Sequence, residues 1–295
     1  MILFASGRTD IPAFYGDWFL HRYEEGYVDT RNPFYPKLVS RIYFKDVDLL
    51  FFCSKNPVPF LDKIKRLDRP MIFHVTITPY RRDIEPNVVD KKAVIEAVKR
   101  LSEMIGKENV VVRYDPILLS DVYDVDYHLR AFEKLTRELS GYIETVIVSF
   151  LDECKSVKRN ASLLRARIFT EEDYRRIGEG FSSLATKAGM VVQTCYEERN
   201  LFEYGFYPGE CLSAAKASSL TGKKYPVQTA RKGGGCRCMR MCDIGDYNCC
   251  PHGCKYCYAN FDESKVKENM ARHDPSSSLL IGRVQDDDII KVRQK

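Results

Sequence analysis

Six short apolar runs, rich in β-branched and aromatic residues, recur before residue 196. Runs of this length and composition predict β-strands. They span residues 2–6, 48–53, 71–78, 110–114, 144–150 and 190–195.

Helical patterns separate most of these runs, and the three longest patterns each begin at a capping residue and stop at a glycine. The alternation of strands and helices predicts parallel strands with the helices outside them. Six such units predict an open (β/α)6 partial barrel, and a doubly wound sheet is the alternative. The predicted helices span residues 57–67, Asp90 to Gly106, 124–139, and Thr170 to Gly189.

Two of the predicted strands place polar side chains on a single face. His74 and Thr76 alternate with apolar residues, and Arg113 and Asp115 flank Tyr114. Parallel strands that are buried on both faces are usually continuous runs of Val, Ile and Leu. The polar face therefore indicates either a barrel that holds a ligand or an internal network in which these residues satisfy one another.

The composition suits one large core, because 44% of the 295 residues are hydrophobic. No run approaches the roughly 18 apolar residues of a membrane span. The chain opens without the basic-then-apolar order of a signal peptide, so we expect a cytoplasmic protein. A net charge of +5 predicts a mixed surface, which is compatible with an anionic substrate but is far from the strongly basic surface typical of nucleic-acid binding.

Cysteines are concentrated near the end of the chain, where seven of the eleven lie between residues 236 and 257. In a reducing compartment such crowding indicates metal binding rather than disulfides. Cys250, Cys254 and Cys257 form a C-x3-C-x2-C motif, which places three thiolates in one loop. Three thiolates hold three irons of a [4Fe–4S] cluster and leave the fourth iron free to bind a small molecule.

This motif resembles the signature of radical S-adenosylmethionine (SAM) enzymes, with Tyr256 in the usual aromatic position before the third cysteine. Nearly the whole chain also resembles the family called domain of unknown function 1848. That family is held to be radical-SAM-like, with its cysteine motif displaced to the C-terminus. The stretches that carry the resemblance are residues 6–15, 31–33, 52–57, 76–80, 113–117 and 243–260.

The displaced motif implies a circularly permuted barrel. In that arrangement residues 190–195 act as the usual first strand, which precedes the cluster loop, and residues 2–6 act as the usual second strand. The predicted domains are the (β/α)6 radical-SAM-like partial barrel over residues 1–204, a cysteine-rich iron–sulfur segment packed on the barrel mouth over 205–270, and a C-terminal surface segment over 271–295.

The resemblance also implies which residues contact SAM. The end of the second strand normally meets the methionyl group, so Gly7 would allow close backbone approach, Arg8 would meet the carboxylate and Asp10 the ammonium. An ordinary strand-to-helix turn capped by Thr9 or Asp10 is the alternative. The predicted SAM-binding residues are Ser6, Gly7, Arg8, Asp10, Ser149, which would contact the ribose, and Tyr256, which would lie near the adenine.

Four other cysteines suffice for a second metal centre, either another [4Fe–4S] cluster or a tetrahedral zinc site. Cys242 and Cys249 compete for ligand roles, but only Cys250 gives the three-residue gap of the motif. The predicted ligands of this second centre are Cys195, Cys211, Cys236 and Cys238.

Polar residues at the predicted strand ends are candidates for hydrogen abstraction or proton transfer, because barrel active sites gather there. Arg113 and Asp115 are the strongest pair, with a structural ion pair as the alternative. The predicted catalytic residues are His74, Arg113, Asp115 and Glu197.

Together these features predict a radical SAM enzyme that reductively cleaves SAM at a [4Fe–4S] cluster to form a 5′-deoxyadenosyl radical, which acts on an unknown substrate. We expect an external electron donor of the ferredoxin or flavodoxin type, and a nucleotide or nucleic acid is one open substrate class. Two alternatives remain: a zinc-stabilised nucleic-acid-binding protein, and an iron–sulfur electron-transfer protein whose irons are all held by the protein.

Overall fold

The computed structural model describes residues 1–195, 197, 199–226 and 238–294, which form a mixed α/β fold. Its strands are β1 (Ile2–Phe4), β2 (Tyr27–Arg31), β3 (Leu38–Tyr43), β4 (Leu49–Ser54), β5 (Met71–Thr76), β6 (Val110–Ile117), β7 (Thr145–Phe150), β8 (Val191–Thr194), β9 (Tyr207–Pro208), β10 (Cys242–Asp243) and β11 (Ile289–Val292).

The helices vary widely in length, and short 3₁₀ turns occur at Phe44–Asp46, Val58–Phe60, Lys107–Asn109 and Phe202–Tyr204. The α-helices are α1 (Ile11–Phe14), α2 (Gly16–Glu25), α3 (Leu61–Ile64), α4 (Lys91–Ile105), α5 (Val125–Leu139), α6 (Lys155–Arg159), α7 (Ala161–Leu164), α8 (Glu171–Lys187), α9 (Ala214–Thr221) and α10 (Glu263–Ala271). None of the helices in the described part of the chain has the length and apolar character needed to cross a membrane.

The large sheet has eight strands in the order β10-β1-β4-β5-β6-β7-β8-β9, and every neighbouring pair is parallel. All six strands predicted from the sequence are confirmed, and they occupy six consecutive positions in the sheet, from β1 and β4 to β8. The carboxyl ends of the parallel strands therefore meet at one edge, where polar side chains from distant parts of the chain come together.

One strand of the permuted arrangement was predicted wrongly. Residues 190–195 were expected beside residues 2–6, but β8 pairs with β7 and β9. The neighbour of β1 is instead β10, where Leu3 pairs with Cys242. A strand of two residues is too short to show an apolar period, so the sequence pattern did not reveal it.

The caps of the three long helices agree with their predicted starts. Asp90 accepts a hydrogen bond from the Lys92 amide at 2.8 Å, and Asp124 accepts one from the Tyr127 amide at 2.7 Å. Thr170 begins α8 with a reciprocal capping box. The predicted helix over residues 57–67 is shorter than expected and consists of the 3₁₀ turn Val58–Phe60 followed by α3.

The two faces of the large sheet are covered differently. On one face α4, α5 and α8 bury the strands, and the rings of Phe132 and Phe181 stack with their centroids 3.8 Å apart. On the other face Leu212, Ala217 and Met239 pack against apolar residues of β1, β4 and β5. Residues that follow β9 thus cover part of the face that carries the polar strand ends.

A smaller sheet joins both ends of the chain. Strands β2 and β3 form an antiparallel hairpin, and β11 pairs with β3 in parallel. The segment over residues 271–295 was expected at the surface, but Leu279 and Leu280 are buried and Trp18 Nε1 donates to the Ser277 carbonyl at 2.8 Å. The charged residues after Gln285 suggested full exposure, whereas the apolar stretch just before them packs into the core.

Candidate metal and cofactor site

The C-terminal cysteine motif lies in a loop that directly follows β10. The Ile244 amide donates to the Phe4 carbonyl at 3.1 Å, which extends the pairing with β1. The loop then turns at Gly253, where φ is +70° and an added Cβ would lie 3.1 Å from Pro86 Cγ. The Cys257 amide donates to the Cys254 carbonyl at 3.1 Å. The sheet therefore positions the loop at the carboxyl edge of β1 and β10.

The three thiols of the motif lie within electrostatic range of one another. Burial raises the pKa of Cys250, and the charges of Asp10, Cys254 and Cys257 raise it further. Burial also raises the pKa of Cys254 to about 12. Both thiols are therefore neutral at physiological pH without a metal, and a bound cation would favour the thiolate forms that ligate iron. The donor set therefore fits a thiolate-ligated metal group.

Cys249 has a different environment, although it adjoins Cys250. It is fully buried, and its thiol donates to the Asp246 carbonyl at 3.0 Å. Its backbone carbonyl accepts a hydrogen bond from the Tyr15 hydroxyl. These contacts suit a packed structural thiol, and they agree with the choice of Cys250 as the first residue of the motif.

A buried carboxylate, which the sequence analysis missed, anchors the motif tyrosine. The side chain of Glu85 is 0% exposed, and Lys55 Nζ lies 2.7 Å from its Oε1. Lys91 also pairs with Glu85, and the Tyr256 hydroxyl donates to it. The Thr78 hydroxyl donates to Oε1 at 2.5 Å. Lys55 and Glu85 are 30 positions apart in the sequence, and no periodic pattern relates residues at that distance.

Asp10 makes the capping contact that was the alternative in the sequence analysis. Its Oδ1 accepts from the Ala13 amide at 3.1 Å at the start of α1. Its Oδ2 lies 2.9 Å from His252 Nε2 and accepts from the Lys55 amide at 2.8 Å. Asp10 thus joins the end of β4, the start of α1 and the cysteine loop.

The other residues predicted at the end of β1 surround Asp243 of β10. Arg8 Nε donates to Asp243 Oδ2 at 2.9 Å. A Cβ at Gly7 would lie 2.6 Å from the same oxygen, so this position requires glycine for close packing. The Gly7 carbonyl accepts from the Tyr258 hydroxyl. Ser6 Oγ is buried without a hydrogen-bond partner in the described residues.

Most of the predicted catalytic residues meet at the carboxyl ends of β6, β7 and β8. Arg113 Nε donates to Asp115 Oδ2 at 2.9 Å, and the Ser149 hydroxyl donates to the other oxygen of Asp115. Glu197 Oε1 accepts from the Phe150 amide at 2.8 Å. Ser149 therefore bonds a predicted catalytic carboxylate, and its expected ribose contact remains a prediction. The cluster can bind a polar group and hold a proton.

Replacing Glu197 by glutamine should reduce the pH dependence of stability. Burial raises the pKa of Glu197 from 4.5 to about 7. The folded protein therefore keeps a proton that the unfolded chain releases, and this stabilisation is present below pH 4.5 and lost as pH rises through about 7. We expect wild type to lose about 2 kcal/mol more than Glu197→Gln between those limits, as measured by urea unfolding. If the free energy of unfolding changed equally with pH in the two proteins, the raised pKa of Glu197 would be contradicted.

A second group of cysteines lies beside this cluster. Cys195 Sγ is 3.0 Å from Cys211 Sγ and 3.6 Å from Cys238 Sγ. Arg113 Nη1 donates to Cys211 Sγ at 3.1 Å. Hydrogen bonds from Cys195 and then Cys238 lower the pKa of Cys211, as does the charge of Arg113. Three of the four predicted ligands of the second centre thus come together, while Cys236 lies outside the described residues.

His74, the remaining predicted catalytic residue, is close to this second group. It is 0% exposed, and neither ring nitrogen has a hydrogen-bond partner within the described residues. Burial lowers the pKa of His74 to about 3, so its ring is neutral at physiological pH. An internal network of polar residues was the alternative role for this strand face. Within the described residues that network does not include His74, because neither of its ring nitrogens has a hydrogen-bond partner.

Comparisons with known proteins add a family but no function. The EAL domain of FimX from Xanthomonas citri, solved in complex with c-diGMP, has 12% sequence identity to this chain, covering 64% of this chain and 88% of that domain. The TM-score is 0.22, which is too low to carry an argument. None of the curated proteins compared with the chain matches it. The family model "Domain of unknown function (DUF1848)" matches residues 2–259, and the chain therefore belongs to this family.

Proposed function

We propose that the protein is a radical SAM enzyme built on a circularly permuted, open partial barrel. The observation that carries the proposal is the path of the chain from β10 into the cysteine loop. A parallel strand beside β1 leads directly into the C-x3-C-x2-C motif at the carboxyl edge of the sheet. In this proposal β10 is the usual first barrel strand, and β1, β4, β5, β6 and β7 follow it in the observed order.

Cys250, Cys254 and Cys257 would hold three irons of a [4Fe–4S] cluster, and SAM would bind the fourth. When bound, these groups supply one-electron cleavage of the sulfonium, which generates a 5′-deoxyadenosyl radical. The three thiols lie within electrostatic range of one another in one loop, and burial raises the pKa of each. A bound cation would offset this effect and stabilise the thiolates, which supports the assignment.

The contacts of the predicted SAM-binding residues suggest a division of roles. Arg8 is held by Asp243 and can still offer guanidinium donors toward a carboxylate. Asp10 already accepts from the Lys55 amide and lies against His252, so we assign it to holding the loop in position. Tyr256 is fixed by Glu85, and its ring packs against Tyr80 with the Lys55 ammonium 5.5 Å from the ring centroid. Its contact with the adenine remains a prediction.

The polar cluster at the ends of β6 to β8 would hold the substrate. Arg113 and Asp115 form a charge pair at the carboxyl end of β6. Glu197 carries a proton near neutral pH, which suits it to donate to or accept from a substrate group. The substrate itself and the donor of the external electron are unidentified, and a ferredoxin or flavodoxin type of donor fits a cluster that must be reduced before each cleavage.

The electron paramagnetic resonance spectrum of the reduced protein tests the open iron. Protein reconstituted with iron without oxygen and reduced with dithionite should give a [4Fe–4S] signal that changes when SAM is added. S-adenosylhomocysteine at the same concentration controls for the purine and amino-acid parts. A four-iron spectrum that is identical with and without SAM would contradict the proposal and favour an electron-transfer protein.

A further inference from the structure

We propose that Cys195, Cys211 and Cys238 bind a single thiophilic metal ion of the zinc type, in a centre separate from the C-terminal cysteine loop. Throughout the described ranges of the chain, these residues form the one group whose three ligand atoms all lie within 4.8 Å of one another. This geometry would suit a metal ion whether or not the protein cleaves SAM.

The separation of the sulfur atoms suits one ion. Zinc holds thiolates at about 2.3 Å in tetrahedral geometry, which separates neighbouring sulfurs by about 3.8 Å. The 3.6 Å separation of Cys195 and Cys238 is close to that value, and the 3.0 Å separation of Cys195 and Cys211 is shorter. The three sulfurs therefore converge enough to share one ion. Thiolates on a four-iron cluster each bind a different iron and therefore stand farther apart. The sequence left zinc and a second cluster open as alternatives for this centre, and the geometry favours one ion.

A disulfide would not explain the arrangement. Two sulfurs in a disulfide are about 2.05 Å apart, whereas the shortest separation here is 3.0 Å. A bond between Cys195 and Cys211 would also leave Cys238 as a buried thiol with no role, although the Cys211 amide donates to its sulfur at 3.2 Å. A disulfide joins only two sulfurs, whereas a metal ion can bind all three sulfurs that converge here.

His74 lies near the three cysteines but outside the group, because neither ring nitrogen is within 4.8 Å of all three sulfurs. Its side chain is fully buried on β5, and both of its ring nitrogens are unpaired. Burial lowers the pKa of His74, and the charge of Cys211 opposes this effect. Zinc also binds in sites that have three protein ligands and an open fourth position, so the three cysteines suffice to hold an ion.

Arg113 is a charged neighbour of an ion at this position. Three thiolates and one Zn²⁺ leave a net charge of −1, and Arg113 lies against Cys211 with its guanidinium 3.1 Å from the sulfur. The same guanidinium pairs with Asp115. The ion would therefore be linked through one arginine to the polar cluster that is proposed to hold the substrate.

The three cysteines come from separate parts of the chain. Cys195 directly follows β8, Cys211 follows β9, and Cys238 precedes β10. Next to Cys238, the Met239 amide donates to the Leu212 carbonyl at 3.0 Å. An ion at this point would tie the residues that cover one face of the sheet to the strands beneath them, and it would fix the chain that leads into the cysteine loop.

Metal analysis of two triple variants of the full chain separates this centre from the cluster. Cys195→Ser/Cys211→Ser/Cys238→Ser should lose about one zinc per chain and keep four irons. Cys250→Ala/Cys254→Ala/Cys257→Ala should lose the irons and keep the zinc. The outcome does not involve SAM cleavage, so failure of the proposed function and failure of this centre give different results.

Cobalt titration covers the case in which the serine triple variant does not fold. The variant Cys250→Ala/Cys254→Ala/Cys257→Ala, titrated with Co²⁺, should show the thiolate charge-transfer and tetrahedral ligand-field bands of one ion. Adding Cys154→Ser should leave binding unchanged. Absence of these bands, or loss of several irons rather than one zinc in the serine triple variant, would overturn the inference.

Discussion

Replacing any one of Cys250, Cys254 and Cys257 by alanine is expected to abolish cluster assembly and, with it, SAM cleavage. Each thiolate is proposed to hold a different iron, so no neighbouring sulfur can substitute for a missing one. Loss of an outer partner of a metal site costs about 10–100-fold in affinity or activity, and loss of a ligand should cost more. Iron content and the yield of 5′-deoxyadenosine from SAM measure the effect.

Cys249→Ser is the matched control for Cys250→Ala. Serine keeps a donor for the Asp246 carbonyl, and residue 249 remains next to the motif. We expect the Cys249→Ser variant to retain four irons per chain and most of the activity. The opposite pattern, with iron lost in Cys249→Ser and kept in Cys250→Ala, would reassign the first ligand and break the C-x3-C-x2-C spacing.

Replacing Lys55 by methionine is expected to lower the free energy of unfolding by about 3–5 kcal/mol. The carboxylate of Glu85 is completely buried, and Lys55 is one of two lysines that compensate its charge. Burial alone would raise the pKa of Glu85, but Lys55 and Lys91 lower it to about 2. Removing Lys55 leaves the buried charge undercompensated, and urea unfolding at neutral pH measures the loss.

The control for this substitution is Lys63→Met, which removes a lysine from an exposed ion pair. Lys63 Nζ lies 2.9 Å from Asp17 Oδ1, and the Asp17 side chain is 89% exposed. Such surface pairs contribute about 0–1 kcal/mol. If the two methionine variants had equal stability, Glu85 would not depend on Lys55 in the way that its burial implies.

The strands that the sequence predicted correctly share one property. Each is rich in β-branched and aromatic residues and lies in the large sheet, so its composition identifies it even where polar residues alternate on one face. The hairpin of β2 and β3 was missed because Tyr27–Arg31 mixes polar and apolar residues. Strand β10 was missed because two residues show no period. The sequence pattern thus detected the centre of the large sheet but neither its edge at β10 nor the smaller sheet.

The sequence predicted those parts of the candidate site that depend on the spacing of nearby residues. It did not predict the parts that depend on packing between distant segments. The C-x3-C-x2-C motif is visible in the sequence, and so is the proximity of Arg113 to Asp115. The buried set of Glu85, Lys55 and Tyr256 joins three distant segments, which only the fold brings together. For the same reason, the sequence alone could not show which cysteines form a second centre. In the described residues, packing brings together Cys195, Cys211 and Cys238.

The yield of 5′-deoxyadenosine tests the account most directly. Protein with four irons per chain, verified by metal analysis, is incubated without oxygen with SAM and a strong reductant. We predict 5′-deoxyadenosine and methionine in equal amounts, and neither from the variant Cys250→Ala/Cys254→Ala/Cys257→Ala. Wild-type protein that carries the four irons but forms no 5′-deoxyadenosine would contradict the central claim.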